Sequence, residues 1–114
     1  MRYYSHSFFF KKEMEEFYEK RNKKSLIVLL RKIREVLLDF LTKEEDAEFL
    51  SDEFVYLCVN NEEEIFNKMI SFEPELSSLT DLIDVGHPEW TKEMRDKLVK
   101  NKIELINKII KKYS

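Results

Sequence analysis

The groups in this sequence that could act in catalysis or bind a metal are two histidines, His6 and His87, and one cysteine, Cys58. Neither histidine belongs to a zinc-binding motif, and no nucleophile, general base and orienting group can be assembled around them. The Glu-x-x-His signature of di-metal helical bundles is also absent. Cys58 lies in an apolar stretch, which is typical of a small buried side chain. The sequence therefore predicts no catalytic, metal or cofactor site, and an enzyme is the third of three interpretations.

Carboxylates are the chemically distinctive groups, because they are concentrated in one part of the chain. Residues 44–89 contain fourteen acidic residues and a single base, Lys68, whereas residues 1–43 and 90–114 each carry a net charge of +5. Such a field attracts a basic protein partner and repels nucleic acid, unless the basic flanks neutralise it internally. The predicted partner-binding residues, eight carboxylates and two aromatic anchors, are Asp52, Tyr56, Glu62, Glu63, Glu64, Glu73, Glu75, Asp81, Asp84 and Trp90.

A basic N-terminal region supports a second interpretation. Residues 11–34 contain nine Lys and Arg residues with tyrosines nearby, which is the composition of a nucleic-acid-binding surface. Glutamates alternate with these bases between residues 13 and 19, however, as on a solvated face with many ion pairs. The alternative function is a small regulator or adaptor that contacts nucleic acid through its basic N-terminal helices. The acidic total disfavours nucleic acid as the main partner.

Helices must position these side chains, because apolar residues recur at helical spacing along most of the chain. The strongest patterns cover residues 26–41 and 94–110. With 114 residues, of which 43% are apolar, the chain is long enough for one core. We predict an all-α fold, a compact single-domain bundle (residues 1–114) of about five or six helices. Residues 54–59 fit a short strand as well as a buried helical segment.

Capping residues and helix breakers predict where the helices begin and end. The predicted N-caps and capping boxes are Ser7, Ser25, Thr42 with Glu45, Asn61, Ser78 with Asp81, and Pro88 or Thr91. Pro74 is predicted to end the helix that precedes it, because the residue before a proline avoids helical backbone angles. Gly86, the single glycine, is predicted to cap the end of a short helix.

The sequence also indicates where the protein works. The first apolar run, Phe8–Phe10, is too short for a signal peptide, and no run approaches the roughly 18 apolar residues of a membrane span. A single cysteine cannot form an internal disulfide, which fits a reducing compartment. We therefore expect a cytoplasmic protein that does not contact a membrane, while its oligomeric state is left open.

In size, acidity and lack of catalytic groups, the chain resembles small bacterial immunity proteins of toxin–immunity pairs. The resemblance is one of overall character and assigns no individual residue. It implies a stoichiometric complex with a cognate toxin, whose nucleic-acid-cleaving domain carries a positive groove that carboxylates on a rigid helical scaffold can occupy. On this basis we predict a non-catalytic binding protein, an immunity protein or antitoxin that inhibits a nuclease-type toxin through an acidic surface.

Overall fold

The computed structural model describes residues 9–43, 46–59 and 63–113, which form helices joined by short connections. The α-helices of the described part are α1 (Lys11–Lys20), α2 (Lys23–Lys43), α3 (Ala47–Cys58), α4 (Glu63–Phe72) and α5 (Lys92–Lys112). A 3-10 helix, Pro74–Asp84, connects α4 to α5. The described residues contain no strand, which confirms the predicted all-α fold. None of these helices is long and apolar enough to cross a membrane.

The ambiguous stretch 54–59 lies in α3 and the turn after it, so the alternative of a short strand there is wrong. Asp46 opens α3, and its carboxylate accepts a hydrogen bond from a backbone N–H of the first turn at 3.0 Å. Leu50, Phe54 and Leu57 follow at helical spacing and are at most 1% exposed. In a strand Leu57 would face the side opposite to Leu50 and Phe54, whereas a helix buries all three on one face, at about 1.5–3 kcal/mol for each side chain.

Two predicted N-caps are displaced by a few residues. The side-chain oxygen of Asn22 accepts a hydrogen bond from the N–H of Ser25 at 2.8 Å, and the Ser25 hydroxyl donates to the Asn22 carbonyl at 2.9 Å. Asn22 is therefore the cap of α2, and Ser25 closes its first turn. Thr42 lies in the last turn of α2, where its hydroxyl donates to the carbonyl of Leu38, and Asp46 caps the next helix instead. The predictions at Ser7, Glu45 and Asn61 lie outside the described residues.

The segment after Pro74 is a 3-10 helix and not the α-helix expected from Ser78 and Asp81. As Pro74 predicts, α4 ends before it, at Phe72. A 3-10 helix has three residues per turn, and the buried residues here recur at every third position: Leu76, Leu79, Leu82 and Val85, each 0% exposed. The hydroxyls of Ser78 and Thr80 donate to carbonyls three residues back, at 3.0 and 2.9 Å. The apolar repeat thus lies along one side of the segment.

Gly86 does not act as the predicted left-handed C-cap, because its φ is not positive. A Cβ atom at Gly86 would lie 3.1 Å from the Cα of Glu48 and 3.4 Å from the carbonyl oxygen of Ala47. Glycine fits here because the backbone of this turn closely approaches the first turn of α3. The Ser51 hydroxyl of α3 also donates a hydrogen bond to the carbonyl of Ile83. The end of the 3-10 helix is thus held against the start of α3.

The two longest helices, α2 and α5, have 21 residues each and pack in opposite directions. Lys23, at the start of α2, lies 5.3 Å from the ring centroid of Tyr113, just after α5, and Arg34 donates a hydrogen bond to Asn107 at 2.6 Å. Thr91 caps α5, which settles the predicted choice between Pro88 and Thr91. A helix of this length spans about 31 Å. The pair therefore runs along most of the molecule, whose extents are 37 × 34 × 21 Å.

Candidate functional site

Three of the predicted partner-binding carboxylates are neutralised within the fold. Each lies 3.0–3.1 Å from a lysine ammonium of α5: Asp81 with Lys102, Glu75 with Lys108, and Glu73 with Lys112. As the residue number of the lysine rises, that of its acidic partner falls, so α5 runs antiparallel to the 3-10 helix. The lysines of α5 therefore face the three carboxylates one by one. An open groove of about 570 Å³ lies between them. Internal neutralisation, which the sequence left open, therefore accounts for these three residues.

Glu73 is the most enclosed of the three, with 8% of its side chain exposed. Its carboxylate accepts hydrogen bonds from the Tyr113 hydroxyl and from Lys112. The Tyr113 hydrogen bond, followed by the hydrogen bond and charge of Lys112, lowers the pKa of Glu73, although burial opposes this. Glu73 thus ties the end of α5 to the end of α4, and its carboxylate is largely used inside the fold.

The other predicted residues outside the 3-10 helix lie in several places. Glu64 is exposed on α4 and accepts a hydrogen bond from the Tyr18 hydroxyl at 3.0 Å. Tyr56 and Trp90 are half-buried and pack against the apolar core, so each shares its ring between the core and solvent. The Trp90 carbonyl accepts a hydrogen bond from Arg95 at 2.7 Å. Glu62 and the side chain of Glu63 lie outside the described residues.

Apart from Glu64, the described carboxylates of residues 44–89 that are exposed and lack an ion pair lie where the end of the 3-10 helix meets the start of α3. We name this region the acidic end; its residues are Asp46, Glu48, Asp52, Asp84 and Glu89. The ion pairs among the described residues include none of them. The contacts of Gly86 and Ser51 described above join the two segments. Asp52 and Asp84 are the predicted binding residues that the structure places here.

Sequence reasoning missed Asp46, Glu48 and Glu89 as members of this group. Acidic residues near a helix start are ordinary partners of the helix dipole, so their presence alone does not indicate a binding surface. The signal that could have found them is the absence of any base from residues 44–67 and 69–91. A carboxylate in such a segment can be neutralised only by a distant part of the chain. At these positions the described part of the fold brings no base within ion-pair distance.

Glu53 differs from the other carboxylates of α3 because it is 0% exposed. One of its oxygens accepts a hydrogen bond from the backbone N–H of Phe9 at 3.1 Å, and the other is buried without a hydrogen-bond partner among the described residues. Burial raises the pKa of Glu53 to about 7; the hydrogen bond from Phe9 opposes the rise, and the charge of Asp52 adds to it. Glu53 therefore binds a proton near neutral pH and adds only part of a charge to this region.

Two further chemically reactive groups lie in the described residues, Cys58 and His87. Burial raises the pKa of Cys58 to about 12, so at neutral pH it does not form the thiolate that acts as a nucleophile. His87 is exposed, and its Nδ1 accepts a hydrogen bond from the N–H of Glu89 at 3.2 Å. In the ranges that the structure describes, no three His, Cys, Asp or Glu residues are grouped so that they could hold a metal.

No protein-family model, no curated protein and no solved structure matches this chain.

Proposed function

We propose that this protein is a non-catalytic binding protein of the cytoplasm whose acidic end covers a basic surface of a protein partner. In its most specific form, the proposal is an immunity protein or antitoxin that inhibits a cognate nuclease-type toxin. The observation that carries it is the group of five exposed carboxylates at the acidic end. A nuclease groove is positively charged because it holds phosphates, and carboxylates fixed on a helical scaffold are complementary to it.

The nearby bases leave the five carboxylates in excess: Lys11 and Lys12 follow Phe9, which contacts α3, and two further bases are already paired. Lys43, at the end of α2, pairs with Asp39 at 3.7 Å, and Lys92, at the start of α5, pairs with Asp96 at 2.8 Å. The bases at the start of α2 lie about 31 Å away along that helix. Because the Debye length is about 10 Å at 0.1 M salt, bases that far away are screened from the acidic end. A basic partner would therefore meet a locally negative field, which speeds association.

The scaffold of the acidic end favours tight binding because its backbone is already ordered. Asp46 is held by its capping hydrogen bond, and the turn at Gly86 is packed on the start of α3. The hydrogen bond between Ser51 and Ile83 fixes the last turn of the 3-10 helix. Binding at such a surface orders few additional backbone groups, which reduces the entropy lost on association.

The test compares two variants that carry the same net charge. Glu48→Lys/Asp84→Lys reverses two carboxylates of the acidic end, while Glu15→Lys/Glu104→Lys reverses two exposed carboxylates elsewhere. Wild type and the second variant should retain the same basic protein from a lysate of the native host at about 50 mM salt and release it at about 500 mM. The first variant should not retain it. The product of the adjacent gene is the first candidate to purify as the partner.

The purified partner should have nuclease activity that equimolar wild-type protein abolishes and that Glu48→Lys/Asp84→Lys leaves intact. Cells that produce the partner should survive when they also produce the wild-type protein. They should not survive with Glu48→Lys/Asp84→Lys. An acidic partner, or a partner retained equally by both charge-reversed variants, would contradict binding through the acidic end. A basic partner without nuclease activity would contradict the toxin-inhibitor form of the proposal.

A further inference from the structure

A second charged surface lies at the opposite end of α2 and α5. The ammonium groups of Lys23 and Lys112 lie 5.3 and 5.8 Å from the ring centroid of Tyr113, so the start of α2 and the end of α5 meet there. We name this region the basic end; its exposed residues are Lys20, Arg21, Lys23, Lys24, Lys111 and Lys112. The fold thus joins basic residues from the two flanks of the sequence into one surface.

Most of these cations have no carboxylate partner in the described part of the chain. Lys20 pairs with Glu16 at 3.0 Å and Lys112 with Glu73 at 3.1 Å. The ion pairs found there do not include Arg21, Lys23, Lys24 or Lys111. Four positive charges therefore face solvent within one region, which is enough to contact several phosphates of an extended polyanion.

Arg21 adds an aromatic contact to this surface. Its backbone is left-handed, with φ 50° and ψ 44°, a conformation that Gly or Asn adopts with less strain. Its Nε donates to the Tyr18 carbonyl at 2.9 Å, and its guanidinium carbon lies 4.8 Å from the centroid of the Tyr18 ring, which is 41% exposed. Arginine therefore caps a carbonyl at the end of α1, and it also places a positive charge beside an accessible aromatic ring.

We infer that the basic end binds single-stranded nucleic acid, with its cations on the phosphates and Tyr18 as a stacking surface for a base. Cations beside an exposed aromatic ring form the arrangement that binds single strands without sequence preference. An anionic membrane fits less well, because membrane binding also needs a broad apolar face. The described residues of this end offer only Tyr18 and, one turn from Lys24, Val28 as exposed large apolar side chains.

The acidic net charge of the chain does not exclude this ligand. A bound strand experiences the charges within about one Debye length, roughly 10 Å at 0.1 M salt. The acidic end is about 31 Å away along α2. At the basic end itself, the six cations outnumber the described carboxylates near them, which are Glu16, Glu19, Glu64 and Glu73, so the local charge is positive although the total is negative. This inference goes beyond the proposed function and does not depend on it, because the acidic end has no part in it.

The test is fluorescence anisotropy with labelled single-stranded RNA and DNA of about twelve nucleotides. Each phosphate contact contributes about 0.7 to the slope of log affinity against log salt, so four contacts predict a loss of about 50-fold between 50 and 200 mM salt. The variant Arg21→Asn/Lys24→Gln/Lys111→Gln should lower that slope by about 2 and bind at least about tenfold more weakly at low salt. Asn suits the left-handed backbone at position 21.

A matched control removes three exposed lysines elsewhere and reaches the same net charge: Lys11→Gln/Lys97→Gln/Lys100→Gln. It should bind within about twofold of the wild type at equal salt. Tyr18→Leu should weaken binding by about fivefold or more without changing the salt slope. Circular dichroism melts of every variant separate loss of folding from loss of binding. No binding at about 50 mM salt, equal weakening by both triple variants, or binding to phosphatidylserine vesicles alone would overturn the inference.

Discussion

The ammonium group of Lys102 lies 3.0 Å from the carboxylate of Asp81, and their side chains are 5% and 56% exposed. The pair is asymmetric, because the lysine charge is enclosed by the fold while the aspartate keeps much of its contact with water. An enclosed ammonium group is tolerated only when a counter-charge compensates for its lost hydration. Asp81 therefore stabilises the fold, although the sequence places it beside Asp84 as a residue of the same kind.

Replacing Asp81 with Asn should leave the Lys102 charge uncompensated and lower the free energy of unfolding by about 1–3 kcal/mol. Lys102→Met removes the charge and keeps most of the volume, so we expect it to cost less than about 1.5 kcal/mol. Asp84→Asn is the control, because Asp84 is exposed and has no ion pair with a described residue. Urea denaturation measures all three. Equal losses for Asp81→Asn and Asp84→Asn would contradict a stabilising role for the pair.

The difference between Asp81 and Asp84 could not be read from the sequence. The two residues are three positions apart and of the same type, and both are exposed. Asp81 meets a lysine 21 positions later in the chain, and that contact depends on how α5 packs beside the 3-10 helix. Local spacing encodes neither the packing angle nor the register of two segments. The sequence therefore shows that residues 44–89 are acidic. Which of their carboxylates are neutralised by lysines is determined by the fold.

The helices were predictable where an apolar stripe is long. The helices α2 and α5 have 21 residues each, and burial of a stripe along most of such a length outweighs local alternatives. At the start of α2 two residues compete for the cap position, because Asn22 and Ser25 can both accept a backbone hydrogen bond and both are common caps. Their separation of three residues matches a cap and the third position of the first turn. Each backbone N–H donates to the other residue's side-chain oxygen, at 2.8 Å from Ser25 and 3.4 Å from Asn22, which confirms this arrangement.

A short apolar pattern does not distinguish the 3-10 helix from an α-helix. Leu76 and Leu79 are three residues apart, a spacing that an α-helix shares. Only the continuation to Val85 separates the two cases, because the ninth residue after Leu76 would lie on the opposite side of an α-helix with 3.6 residues per turn. Val85 is 0% exposed like the leucines. The full run of four apolar positions therefore distinguishes a 3-10 helix from an α-helix, whereas the first two positions do not.

Leu37 and Leu38 are chain neighbours with opposite environments, since their exposures are 0% and 43%. Leu37→Ala should lower the free energy of unfolding by about 2–5 kcal/mol because it leaves a cavity in the core, and Ile106→Ala should do the same. Leu38→Ala should cost less than about 1 kcal/mol, because much of its side chain is already in water. Chemical denaturation followed by circular dichroism measures the losses. Similar losses at Leu37 and Leu38 would contradict the observed face of α2.

Asn22→Ala should lower the free energy of unfolding by about 0.5–2 kcal/mol, because the first turn of α2 loses its side-chain cap. Thr42→Ala is the comparison, since Thr42 lies in the last turn of α2 and its hydroxyl donates to a carbonyl of the same helix. It should change stability by no more than about 0.5 kcal/mol. Thermal melts under one buffer condition give both values. A larger effect at Thr42 than at Asn22 would restore the cap predicted from the sequence.

Glu53 should make the stability of this protein depend on pH. Its pKa is about 7 in the folded protein and 4.5 for an unperturbed glutamate. Between these values the unfolded chain has released a proton that the folded protein still holds. The contribution of Glu53 to the free energy of unfolding is therefore complete below about pH 4.5 and is lost as the pH rises through about 7. The slope from this group is at most about 1.4 kcal/mol per pH unit.

Glu53→Gln tests this directly, because Gln keeps an oxygen that can accept the hydrogen bond from Phe9 and cannot ionise. The variant should be more stable than the wild type at about pH 8, and the difference should disappear towards about pH 4.5, where the wild-type carboxyl group is also neutral. Glu48→Gln, which changes an exposed glutamate of the same helix, should keep the wild-type pH dependence. Urea denaturation of the three proteins at several pH values gives the comparison. A constant difference between Glu53→Gln and the wild type across this range would show that burial does not control the protonation of Glu53.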